Sequence, residues 1–141
     1  NVYLQGRQDT YPKRRGLTRV KEFIEYGINV AFAQDSINDP WYPMGNGNMM
    51  NILDNGIHLA QIMSSDDVKT NFDLITYNGA RCMNIQDSYG LEVGKAANFI
   101  VLNEDSVYEA IRKRVDVLAS VRNGDFLFRR KEMAYSIPLS L

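Results

Sequence analysis

The run Ile28-Asn29-Val30-Ala31-Phe32 constrains this chain more than any other feature. It holds almost no polar residue, so it reads as a strand buried on both faces, and such strands belong to parallel sheets covered by helices. The residues before it fit that scheme. Thr18 is placed to cap a helix in which Val20, Phe23, Ile24 and Gly27 share one face, Lys21 and Glu25 form an i,i+4 pair, and Gly27 supplies the stop. Helix, short link and fully buried strand are the repeating unit of a parallel α/β sheet or barrel. Beyond the run, Gln34 and Asp35 lead into a loop that carries Trp41, Tyr42 and two prolines. A tryptophan left in water forgoes the burial that makes it worth having, so this one is expected to cover something.

Met49 to Met63 reads as an amphipathic helix. Met49, Ile52, Leu53, Gly56, Ile57, Leu59, Ala60 and Met63 form one stripe at 100° per residue, Ile62 being the exception. His58, the only histidine, falls on the polar face and is expected to meet solvent. Ser64-Ser65-Asp66-Asp67 opens further helical sequence to about Met83, with an interruption near Gly79. From Gly90 the pattern changes to a turn, a strand from Asn98 to Leu102, a short helix from Ser106 to Arg114, and two β runs around Asn123-Gly124, a strong hairpin signal. The division falls near residue 88, giving an α/β part over 1–88 and a β part over 89–141. The opening NVYLQ is strand-like from its first residue, so the chain is expected to be part of a longer one; the closing AYSIPLSL is ambiguous.

The formal net charge of -1 gives no reason to expect nucleic acid or an anionic membrane as partner, and the short basic run Lys13-Arg14-Arg15 reads as a solvated loop. No stretch approaches the roughly 18 apolar residues of a membrane helix, and the start lacks signal-peptide features, so a cytoplasmic location is expected. The lone Cys82 excludes an internal disulfide and a Cys-rich zinc site, and its ARCMNI context suggests a small buried hydrophobe.

Asp35 stands just past the expected buried strand, where parallel α/β proteins place functional groups. Position alone leaves metal ligand, general base and turn cap open. Asp39, before Pro40, reads as a turn former, and MGNGN, lacking the G-K-[ST] of a phosphate loop, reads as flexible joints or a helix entry.

Three segments in combination, PKRRG-x-TRVKE, QD-x-x-x-DPWYP and G-x-x-x-G-x-x-ANFIVL, resemble bacterial cytosine deaminases of the amidohydrolase superfamily over essentially the whole chain. The resemblance implies an α/β fold: the C-terminal part of a (β/α)8 barrel, about strands 7–8 with their helices, plus the C-terminal segment of a small β domain. On that template Ile28 to Phe32 is the eighth strand, Asp35 is the catalytic carboxylate and metal ligand, and Trp41 helps cover the substrate. Ser36 takes a substrate-side position where the familiar cytosine deaminases carry a second Asp, which widens the expected substrates to other amino heterocycles. The family's divalent zinc or iron needs histidines that this chain lacks, so residues 1–141 alone are expected to bind no metal stoichiometrically and to be inactive. The expected partners are a small amino heterocycle, the missing N-terminal portion of the barrel and further copies in a homo-oligomer. A non-catalytic binding or assembly module derived from the barrel's second half is the alternative.

Overall fold

Leu53, fully buried, is the centre around which the helical layer is built. The computed structural model describes residues 6, 8–13 and 16–131. The strand-like start at residues 1–5, Arg14 and Arg15 of the basic run, and the closing stretch 134–141 lie outside the described residues. The elements in chain order are α1 (Val20–Glu25), α2 (Met49–Ala60), α3 (Ser65–Asn71), a 3₁₀ turn (Phe72–Ile75), α4 (Tyr77–Cys82), β1 (Phe99–Leu102), α5 (Val107–Arg112), β2 (Val117–Arg122) and β3 (Asp125–Arg129).

Local chemistry explains most helix ends. The Asn48 side chain accepts from the Met50 amide and starts α2, so MGNGN is a helix entry. Ser64 and Asp67 form a reciprocal capping box at the start of α3. Its two hydrogen bonds with Ser64 hold the Asp67 carboxyl below the usual range. Ser106 caps α5 by accepting from the Glu109 amide. Helices α1 and α4 start without a side-chain cap: Thr18 does not cap α1, where Arg19 occupies the cap position and bonds instead to Glu22.

The core joins Met50, Leu53 and Ile57 of α2 to Val68 of α3, Leu74 of the 3₁₀ turn, and Ala110 and Ile111 of α5. Ile62 also lies in it, contrary to the helical count. The reason is that α2 ends at Ala60: Gln61 turns to φ 56° and the Ile62 amide bonds back to the Ile57 carbonyl. Met63 is thereby turned outward and Leu59 is also left exposed. Past α3 the helical path breaks at Thr76 (φ -126°, ψ -98°), not at Gly79, which sits inside α4. Cys82 is exposed, not buried. It lies about 200° round α4 from the buried Ala80.

The sheet is three-stranded and antiparallel in the order β1-β2-β3. Asn123 (φ 52°) and Gly124 (φ 87°) form the left-handed pair that a two-residue hairpin requires. Asn98 braces that turn, its Oδ1 accepting from the Asn123 amide at 2.8 Å while the Gly124 amide donates to the Ala97 carbonyl. Tyr77 and Tyr89 meet edge-on at 5.3 Å beside a cavity of about 620 Å³ between this sheet and the helices. Among the described residues no helix is long and apolar enough to cross a membrane.

The parallel-strand expectation is the main difference. Ile28 to Phe32 forms no strand ladder among the described residues, and Ile28 is 51% exposed. Phe23 and Ile24 of α1 are exposed as well, leaving Val20 as the buried member of that face. The physical reason is the lack of a neighbouring strand: a ladder needs a partner backbone, and among the described residues the segment has only isolated hydrogen bonds, while Val30 and Phe32 pack against the core.

Candidate active site

Side chains hold the segment that leads to Asp35. The Asn78 amide group donates to the Val30 carbonyl at 2.8 Å, and the Phe32 amide donates to the Leu74 carbonyl at 2.7 Å. Asn29 donates to the Asn78 carbonyl and to Cys82 Sγ. The Phe32 ring lies against α2 at Gly56, where an added Cβ would come within 2.4 Å of it. Glycine at 56 is what lets the segment lie so close to the helix.

The loop that follows is closed by two contacts. Gln34 Nε2 donates to the Ser36 carbonyl at 2.9 Å. Gly45 presses on the same carbonyl so closely that a Cβ there would stand 2.0 Å from the oxygen. Ser36 is buried as a result, while Asp35 beside it is exposed. Asp39 makes the expected turn, its Oδ1 accepting from the amides of Trp41 and Tyr42. Trp41 is 70% exposed, so the described residues do not bury it.

Asp35, Ser36 and Trp41 thus share one loop, with no hydrogen bond joining any two of them among the described residues. Nor do the described residues contain a group of three or more His, Cys, Asp or Glu able to hold a metal. A catalytic zinc takes about three protein ligands. Asp35 fits one place in such a set and does not make a centre alone. His58 is exposed as expected, its Nδ1 lying 2.7 Å from the Asp54 carbonyl oxygen.

One feature beneath the loop was not visible in the sequence. Asp54 of α2, facing a cavity of about 270 Å³, pairs with Arg114 at 3.0 Å across sixty residues. Sequence periodicity assigns Asp54 to a polar face and Arg114 to a helix end; nothing in spacing links them.

The model of the Amidohydrolase family matches residues 1–128. The chain belongs to the amidohydrolase family. Two structures of 5-methylcytosine deaminase from Klebsiella pneumoniae, liganded with phosphonocytosine and with 5-fluorocytosine, are 46% identical to it. They align over 96% and 99% of this chain with TM-scores of 0.87 and 0.89. N-isopropylammelide isopropyl amidohydrolase of Pseudomonas sp. (strain ADP) is 34% identical over 110 residues, 78% of this chain. The N-isopropylammelide isopropylaminohydrolase of Burkholderia multivorans ATCC 17616, at 22% identity and a TM-score of 0.74 over 84% of this chain, shares the fold. This amidohydrolase chain spans 33% and 34% of the two deaminase structures and 27% of the Pseudomonas relative.

Proposed function

We propose that this chain supplies the Asp35 loop of a metal-dependent amidohydrolase that removes an amino group from a substituted pyrimidine or related heterocycle by hydrolysis. On this reading it forms about the last two strands and helices of a barrel, with residues 89–141 belonging to a small β domain. The observation that carries the proposal is the 46% identity to a 5-methylcytosine deaminase over 99% of the chain. The exposed position of Asp35, at the end of a segment held against α2, supports its role.

In hydrolytic deamination, water adds to the amino-bearing ring carbon and the C–N bond then breaks. A proton must leave the water and reach the departing nitrogen. Asp35 is the group we assign to that transfer, accepting at one carboxylate oxygen and giving the proton to the amine. A divalent zinc or iron ion would acidify the water, with Asp35 as one ligand and the others supplied from outside the described residues. The exposed Trp41 would lie over the bound ring.

Ser36 bears on the choice of ring. Serine is shorter than aspartate, uncharged, and both donor and acceptor, so it leaves more room and tolerates ring atoms that accept hydrogen bonds. That favours a substituted ring, as in 5-methylcytosine, over cytosine itself. The test is ammonia release by the full-length enzyme from 5-methylcytosine and cytosine, and isopropylamine release from N-isopropylammelide. A higher kcat/KM for 5-methylcytosine than for cytosine, with Ser36→Asp shifting the ratio toward cytosine, is expected. Absence of ammonia release from both pyrimidines would refute the proposed reaction; an unchanged ratio in a folded Ser36→Asp variant would remove Ser36 from specificity.

A further inference from the structure

We propose that Asp54 and Arg114 are positioning residues, a latch that holds the loop around Asp35 against α2. The role in turnover rests on the deaminase reading above; the role in holding the loop does not.

Asp54 is 9% exposed, and Arg114 Nε meets its Oδ2 at 3.0 Å. An exposed ion pair generally contributes little, but removing the partner of a buried carboxylate leaves a charge uncompensated. His58 Nδ1 stands 3.4 Å from the other carboxylate oxygen, Oδ1, and the titratable Tyr42 lines the same cavity. Arg114 is aimed by the end of α5. Its amide donates to the Ile111 carbonyl, that of Val115 donates to Ala110, and Arg114 itself adopts φ 50°. Glycine is the usual occupant of such a helix-ending position, so an arginine there accepts backbone strain while placing its side chain on Asp54.

The pair borders a cavity that is also lined by Gln34, Tyr42, Met44 and Gly45 of the loop. Gln34 and Gly45 are also the two residues that grip the Ser36 carbonyl. Asp35 lies between Gln34 and Ser36 in sequence, so a displacement of the cavity wall is carried to its carboxylate.

The test uses the full-length enzyme with Arg114→Gln, Arg114→Lys and Asp54→Asn. Hydrogen exchange is followed in residues 34–46 and in the 117–129 hairpin, with kcat and KM for 5-methylcytosine alongside. Arg114 has a largely exposed side chain, so its variants should fold even if Asp54→Asn does not. In Arg114→Gln we expect exchange in 34–46 to rise about tenfold while the hairpin is unchanged. We expect kcat to fall about tenfold with a smaller change in KM, because small displacements of a reacting group are costly in rate. Arg114→Lys should recover part of both effects. Unchanged exchange in 34–46, or a rise shared equally by the hairpin, would overturn the latch. Local loosening with kcat intact would overturn its part in turnover. Asp35→Asn separates the two readings: if that variant stays active the deaminase role of the loop fails, and the exchange measurement still judges the latch.

Discussion

The strands of the hairpin β2–β3, of six and five residues, and the five-residue segment Ile28–Phe32 are of similar length, yet they are built in opposite ways. The hairpin finds its partners next to it in sequence: Asn123-Gly124 reverses the chain, and Asp125–Arg129 pairs with Val117–Arg122 at once. The Ile28–Phe32 run has no such neighbour. Apart from the Ile28 amide, which donates back to the Phe23 carbonyl, its described hydrogen bonds are with Leu74, Asn78 and Cys82, more than forty residues away. A backbone held by single distant contacts depends on tertiary packing, whereas a local hairpin carries its own pairing. The candidate site stands at the end of the dependent segment, so perturbations there should be felt differently from those elsewhere.

Gly45→Ala is expected to show the largest stability effect. Its Cβ would collide with the backbone of Ser36, which has no side chain to rotate away. Overpacking of this kind costs about 1–3 kcal/mol, and here it should also lower turnover in the full-length enzyme. A neutral Gly45→Ala in thermal melts would mean that the loop is not closed on Ser36. Next comes Ser64→Ala, which removes the cap of α3 and should cost about 1 kcal/mol, with no specific effect on turnover. Gly79→Ala has the opposite sign. Nothing lies within 4 Å of the added Cβ inside α4, so a gain of roughly 0.5–1 kcal/mol is expected from reduced chain entropy. Trp41→Ala should leave stability unchanged to within about 0.5 kcal/mol, because the side chain is exposed, while raising KM. A clear loss of stability there would return Trp41 to ordinary packing.

Acidity sharpens the same contrast at the start of α3. Folded Asp67 has a lowered pKa, chiefly from its hydrogen bonds with Ser64. Its contribution is therefore present above the ordinary carboxylate range and is lost as the pH falls through the lowered folded value. Asp67→Asn should flatten the acid side of the stability profile slightly. An unaltered profile would show that the capping box does not respond to charge.

What the sequence reveals follows from how local each cause is. The hairpin, the short helix after Ser106, the Asp39 turn, the α2 entry and the solvent-facing His58 depend on residues close in sequence, and each is found. Ile62 escapes the helical pattern because Gln61 ends the helix one residue before it. Cys82 is exposed against expectation because composition around a residue does not report which side of a short helix it faces. The unpaired Ile28–Phe32 run shows that apolar character predicts burial only when its partners are present. The Asp54–Arg114 pair spans sixty residues, and no local pattern announces it.

The most direct test of the account is the turnover of Asp35→Asn in the full-length enzyme, measured as ammonia release from 5-methylcytosine beside its thermal midpoint. The residue is exposed at the end of a held segment, so the fold should survive the change. Turnover is predicted to fall by about 10²–10⁴-fold, the usual contribution of a positioned proton-transfer group, with an unchanged midpoint. Activity within about tenfold of the parent, a difference of roughly 1.4 kcal/mol in the barrier, in a variant that folds normally would contradict the role assigned to Asp35.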